Sequence, residues 1–371
     1  MAGRIVLFGA TGYTGDLAAR ALVARGARPV LAARNGARVQ ALAEELGGLE
    51  WTLADVSRPQ SVRALVGRGD VLVSTVGPFT PWGEPAVQAA VGAGAHYLDS
   101  TGEPAFIRAV FDRHGGAAHQ AGCSLLTAFG YDWVPGNLAG ALALREAGAA
   151  ATRVEVGYFS PGAGESSLSG GTRASAASVM LADGFAWHGG RLVAERQARH
   201  GRWFELTPGK RARAVSMAGS EHLALPRVHP TLRDVGVFLG WFGRASEPLR
   251  ALSAAMSAVT KVPGARDALE GVFGRVVKGS TGGPDAAARA TGRSVVLAET
   301  FDAGRARLPS VRLEGIDAYE LTANLLAWGA ETAASGGLQG IGALGPVDGF
   351  GLDALERGCA EAGIVRVAAA R

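Results

Sequence analysis

The sequence predicts an α/β architecture: an N-terminal Rossmann domain on a doubly wound parallel sheet, then a second α+β domain carrying a mixed or antiparallel sheet. Three observations carry that prediction. Arg4 to Phe8 is a short apolar run that enters the turn Gly9-Ala10-Thr11-Gly12-Tyr13-Thr14-Gly15, and Asp16 to Arg25 then has helical character closed by Gly26. Further apolar runs alternate with helical segments as far as Phe129, which is the rhythm of βαβ units. From Arg153 to Phe159 the pattern changes to strict alternation, as in a strand with one face buried.

Taken in order, the first strand is apolar throughout because a parallel strand inside such a sheet is covered on both faces. Its turn spaces glycines as GxxGxxG. Glycine permits the tight turn, the approach of backbone to a pyrophosphate and close packing of helix on strand, while the helix N-terminus favours phosphate charge. A plain strand-to-helix turn is the alternative. Pro29 to Ala33 is the second strand, and Arg34-Asn35 follows it, where NAD-selective domains carry an acid for the ribose. An arginine suits a 2′-phosphate, so NADP(H) is the expected cofactor; an ordinary surface arginine is the alternative. Glu50 to Ala54 is a third strand ending at Asp55-Val56, with Asp55 either near the adenine or capping a helix after Ser57. Asp70 to Ser74 is the fourth, and Thr75-Val76-Gly77-Pro78-Phe79 follows at its carboxyl end, where an open sheet places its cofactor crevice. A helix is expected over Pro81 to Gly94. His96 to Ser100 is the fifth strand, leading to Thr101-Gly102-Glu103, and Cys123 to Phe129 the sixth, leading to Gly130-Tyr131-Asp132.

Beyond Phe159, the Gly- and Ser-rich stretch 162–171 has the composition of a loop and is a candidate lid. Thr172 to Trp187 has helical character, and His188-Gly189-Gly190-Arg191 that of a turn before strands at 192–198 and 202–206. Residues 232–243 are apolar and aromatic, as suits core, a subunit interface in a homodimer, or a wall contacting an acyl substrate or a lipid surface. Ser246 to Val277 is expected to be largely helical, Arg293 to Glu299 a strand, and Ala318 to Ala334 a helix.

Composition excludes several classes. The 371 residues, 48% hydrophobic, can bury the cores of two domains. The formal charge is +4, but the basic residues are dispersed and Lys210-Arg211-Ala212-Arg213 is their densest cluster, which argues against a nucleic-acid partner. Two cysteines and seven histidines without ligand spacing argue against a metal site. The chain enters a strand at once and has no apolar run of membrane length, so a cytoplasmic protein without a transmembrane segment is expected. None of the five tyrosines is followed four residues later by lysine, no lysine precedes Lys210, and no G-x-S-x-G occurs. Those absences exclude Tyr-x-x-x-Lys dehydrogenase chemistry, P-loop phosphoryl transfer and the serine-hydrolase elbow.

Several segments resemble the saccharopine dehydrogenase-like oxidoreductases, a group that includes the mycobacterial trans-acting enoyl reductases. They are VLFGATGYTG at the N-terminus, LAARN at Arg34, STVGPF at Ser74 to Phe79, YLDSTGE at Tyr97 to Glu103, and GYDWVPGNL from Gly130. Gly279 to Pro284, Arg289 to Gly292, Tyr319 to Ala323 and Pro346 to Gly351 extend the likeness over nearly the whole chain. The resemblance implies an NADP(H)-binding fold, hydride transfer, and a C-terminal segment that returns to the first domain. The expected division is 1–131 as the NADP(H)-binding domain, 132–330 as a substrate and oligomerisation domain, and 331–371 as the returning segment.

What remains is hydride transfer with a protein group supplying a proton. The donor is expected where strands four to six end, so Tyr131 and Asp132 are the first catalytic candidates and Glu103 the next; Asp132 capping the helix at Val134-Pro135 is the structural alternative. Gly9 to Gly15, Arg34, Asn35, Asp55, Val56, Ser74 to Phe79 and Gly102 are the candidate cofactor residues. Three functions stay open: an NADPH-dependent reductase of an activated C=C or C=N bond in a small or lipid-like substrate, a saccharopine-type amino-acid dehydrogenase, and a non-catalytic NADP-binding regulator.

Overall fold

The computed structural model describes residues 3–161, 183–259 and 282–367. Two units form: Met1–Val134 with Ile316–Ile364, and Pro135–Gly315 with Val365–Arg371.

The first unit is built on a parallel sheet of strands β1 (Ile5–Phe8), β2 (Val30–Ala33), β3 (Trp51–Leu53), β4 (Val71–Ser74), β5 (His96–Asp99) and β6 (Ser124–Leu126). The order is β3-β2-β1-β4-β5-β6, and a seventh strand, Gly342–Ala343, pairs with β6. Only six strands were expected, because a two-residue strand carries no periodicity of its own. β1 lies between β2 and β4, with Leu7 in register with Leu31 and Val73. Its unbroken apolar run is therefore buried on both faces. The order reverses between β1 and β4, which puts a crevice at their carboxyl ends. The helix expected over 81–94 is two pieces, Phe79–Trp82 and Glu84–Ala93. They meet at Gly83, where a Cβ would stand 2.4 Å from the Phe106 ring.

Helix Ala318–Ala334 has the expected bounds and belongs to this unit. Asp317 caps it by accepting from the Tyr319 and Glu320 N–H groups. Its inner face packs closely at two glycines. A Cβ on Gly329 would stand 2.5 Å from Phe129, and Trp328 lies over Gly358 of helix Leu352–Ala362, where a Cβ would be 2.1 Å from the indole.

The second unit holds a nine-stranded sheet that includes β7 (Arg153–Phe159), β8 (Asp183–His188), β9 (Arg191–Arg196), β10 (Gly201–Thr207), β11 (Lys210–Ser216), β12 (Asp234–Leu239), β13 (Ser294–Phe301) and β14 (Arg307–Gly315). β7 runs parallel to β12 and antiparallel to β13, so the sheet is mixed. The alternation of β7 is explained by its two faces. Tyr158 points to helix Val134–Ala147, accepting from the Gly136 N–H at 2.9 Å and donating to Glu221 at 2.6 Å. Phe159 points to the other face and packs with Phe204 and Phe238.

One expectation is corrected here. The helix expected over Thr172–Trp187 is contradicted at its end, where residues 183–188 form β8 and pair with β9. Gly189 and Gly190 have φ of 60° and 79°, the left-handed pair that joins two strands in a tight hairpin. The rest of that segment, the candidate lid at 162–171 and the stretch 260–277 lie outside the described residues. No described helix is long and apolar enough to cross a membrane.

Candidate functional site

The glycine turn explains its own spacing. Gly9 has φ of 93°, and a Cβ there would stand 2.7 Å from the Thr75 hydroxyl. A Cβ on Gly15 would fall 2.1 Å from the Gly9 carbonyl oxygen, so only glycine lets helix Tyr13–Ala24 lie this close to the turn. Gly12 is the N-cap, donates to the Gly9 carbonyl at 2.9 Å and offers no side chain to the first-turn amides, which leaves the positive end of the helix for an anion. Ala10 is buried, its amide on the Ala32 carbonyl. Thr75 ties the end of β4 to β1, its amide on Phe8 and its hydroxyl within reach of the Phe8 and Gly9 carbonyls. Val76 lies against Gly9.

Around the turn, Tyr13 meets Tyr319 edge to face at 5.1 Å. Arg38 donates to the Thr11 carbonyl at 3.1 Å, which sets a guanidinium beside the turn. Asn35 does not reach outward with its carbonyl: it caps helix Gly36–Glu45 by accepting from Arg38 N–H. Arg34 is exposed at the end of β2. Asp55 accepts from the amide and hydroxyl of Ser57, which hold its carboxyl below the usual range, with a smaller pull from Arg34. It thus closes a local turn, and the next helix, Pro59–Arg63, starts from Arg58; Val56 is half-buried beside it.

The ends of β4, β5 and β6 meet in a second cluster. Ser74 is buried, and Gly77-Pro78 is a cis peptide preceding Phe79. Glu103 accepts from the Phe79 amide at 2.8 Å, the Thr80 amide at 2.9 Å and the Thr80 hydroxyl at 2.6 Å. This carboxylate is thereby the anchor of helix Phe79–Trp82. Asp99 accepts from the Thr101 amide, the Ala128 amide and the Thr127 hydroxyl. Burial pushes its carboxyl up to about 6 against those bonds. The same contacts hold Ala128 at φ 59°, and so fix the loop that carries Gly130, Tyr131 and Asp132.

Asp132 stands out. The residue is half-buried but its carboxyl is enclosed: Oδ1 has no hydrogen-bond partner, and Oδ2 lies 3.2 Å from where a Gly102 Cβ would be. Burial raises this carboxyl to about 7. Tyr131 is buried, and its amide donates to the Thr322 hydroxyl at 3.0 Å. Gly130 also faces Thr322, 2.8 Å from where its Cβ would be.

The structure thus gathers the candidates into two groups, the glycine turn with Thr75 and Val76, and Gly102 with Asp132. Sequence reasoning missed what links them. Tyr319 and Thr322 lie one turn apart on helix Ala318–Ala334, one touching Tyr13 and the other the Tyr131 loop. Arg38 was missed too, although it sits four residues beyond Arg34, in the first turn of helix Gly36–Glu45. Among the described residues, no group of His, Cys, Asp or Glu side chains is placed to hold a metal.

Residues 5–123 match the family model described as the saccharopine dehydrogenase NADP binding domain. A Mycobacterium tuberculosis protein provisionally named a trans-acting enoyl reductase is 43% identical over 140 residues, 36% of this chain and 33% of that protein. A trans-acting enoyl reductase of Mycobacterium leprae is 41% identical over 140 residues, 36% of this chain and 34% of its own length. The matched region thus spans about a third of these relatives. Among solved structures, apo saccharopine dehydrogenase (L-Glu forming) from Saccharomyces cerevisiae aligns over 99% of this chain and 100% of its own, with a TM-score of 0.59 at 13% identity, a likeness of fold. Residues 5–123 are thus similar to a saccharopine dehydrogenase NADP binding domain, which indicates NADP(H) as the cofactor of this part of the chain.

Proposed function

We propose that the protein is an NADPH-dependent reductase that delivers hydride to an activated C=C or C=N bond, with Asp132 as proton donor. The residues present fit the nucleotide: the uncapped helix N-terminus and Gly12 receive the pyrophosphate, and Arg34 with Arg38 the 2′-phosphate. Bound NADPH supplies the hydride; the chain supplies position and a proton. The observation that carries the reading is the enclosed Asp132 carboxyl against Gly102, raised to about 7. A carboxyl kept neutral near physiological pH can give its proton to a carbanion or amine as reduction proceeds.

Tyr131, its amide fixed on the Thr322 hydroxyl, is assigned the orientation of the substrate. Glu103 is a positioning residue, because both its oxygens already accept bonds from Phe79 and Thr80. The mycobacterial relatives are named trans-acting enoyl reductases, which favours an enoyl substrate over an imine. The test follows NADPH oxidation at saturating cofactor with enoyl thioesters, cyclic imines and 2-oxo acids plus amino acid. Turnover with an enoyl thioester or an imine supports the reading, and turnover with the oxo-acid pair alone replaces it with the amino-acid dehydrogenase.

A further inference from the structure

The second unit contains a cavity of about 550 Å³ that no part of the reductase account uses. It opens where the sheet forks. β12 pairs with β8 near its start, through Val235 and Trp187, and with β11 near its end, through Ser216 and Phe238. The two hairpins diverge from that strand, and the crevice between them is floored by Arg153 and Glu155 of β7. The lining takes residues from both faces at the fork: Arg153, Glu155 and Phe238 alternate away from Tyr158, whereas Trp187, in register with Val235, and Phe185 lie on the Tyr158 side.

Its lining has an apolar wall and a cationic surplus. Phe185, Trp187, Met217 and Phe238 form the wall. The acids of the lining are already engaged: Glu155 with Arg153 and Arg202, Asp234 with His188, and Glu195 with His200 and Arg199. Two guanidiniums of the lining lack a carboxylate among the described residues. Arg196 is held by the Gln197 and Ala198 carbonyls and the Ser253 hydroxyl, and Arg305 is exposed at the turn between β13 and β14. Gln197, 2% exposed, accepts from the Ala218 amide through Oε1 while its Nε2 donor is buried and unpartnered. A buried amide donor left without an acceptor is unfavourable, and an incoming acceptor relieves it.

We propose that this crevice binds a small carboxylate with an apolar body. Arg196 and Arg305 pair with the carboxylate, Gln197 Nε2 donates to one of its oxygens, and the aromatic wall covers the apolar part. The volume suits a ligand of that class. The site is independent of the nucleotide turn, so its failure leaves the reductase reading standing.

The test uses isothermal titration of the full chain with 3-phenylpropionate, with 3-phenylpropionamide and inorganic phosphate as controls. Expected is saturable binding of the acid in the millimolar range or tighter, with neither control bound. Arg305→Asn keeps the left-handed turn, where φ is 67° and asparagine is tolerated; it should weaken binding about tenfold, as loss of a charged hydrogen bond does. Arg305→Asp should abolish it. NADPH affinity and the melting temperature should stay unchanged in both variants. Absence of saturable binding overturns the proposal, as does equal binding of the amide or of phosphate, or an affinity indifferent to both Arg305 substitutions.

Discussion

Two side chains decide most of the account at the residue scale. Arg34 is exposed at the end of β2, and Arg38 is anchored on Thr11 beside it. Replacing Arg34 with Asp removes the proposed partner of the 2′-phosphate and sets a carboxylate near Asp55; NADPH affinity should fall at least about tenfold, the worth of a charged hydrogen bond, with NADH affinity little changed. Asp132 makes a prediction about pH. Its carboxyl is raised to about 7, above the value near 3.9 expected in the unfolded chain. The native state therefore holds a proton there that the unfolded chain has released, and stability falls as pH rises from about 4 to about 7. Melting temperatures across that range should decline less steeply in Asp132→Asn. If Asp132 is the donor, turnover should also fall above pH 7 in the wild type, and Asp132→Asn should lose at least about a hundredfold, the usual worth of general acid catalysis. Tyr131→Phe should cost about tenfold in turnover and leave NADPH affinity intact.

At the element scale, close approach sets the sequence. Gly15→Ala puts a methyl 2.1 Å from the Gly9 carbonyl oxygen, so it should displace helix Tyr13–Ala24 and abolish nucleotide binding measured by fluorescence titration. Gly358→Ala drives a methyl into Trp328 and should destabilise the first unit by about 1–3 kcal/mol, seen as a lower denaturation midpoint. The strand–turn–helix unit was legible because its determinants are contiguous: an apolar run, three glycines and a helix. Helix Ala318–Ala334 was legible too, but its contacts with Tyr13 and Tyr131 were not, because they join residues about 300 and 190 positions apart. The β8–β9 hairpin was half legible. The Gly189-Gly190 turn was read, but the helical character assigned to the segment before it hid the strand that the turn serves.

The whole molecule shows where sequence reading stops. The first unit is completed by residues 316–364, which supply a seventh strand, the Trp328–Gly358 contact and both partners that frame the candidate site. The family resemblance implies a returning C-terminal segment, but no local pattern says which contacts it makes. Glu103 illustrates the same limit. As a sequence feature it is one acid in a promising turn, whereas its bonds to Phe79 and Thr80 come from a segment more than twenty residues earlier and make it an anchor. The measurement that tests the central claim most directly is titration of the purified chain with NADPH and NADH, in the wild type and in Arg34→Asp. The account predicts tight NADPH binding, weaker NADH binding, and a preference that collapses in the variant. Equal affinity for both nucleotides in the wild type, or no binding of either, would contradict it.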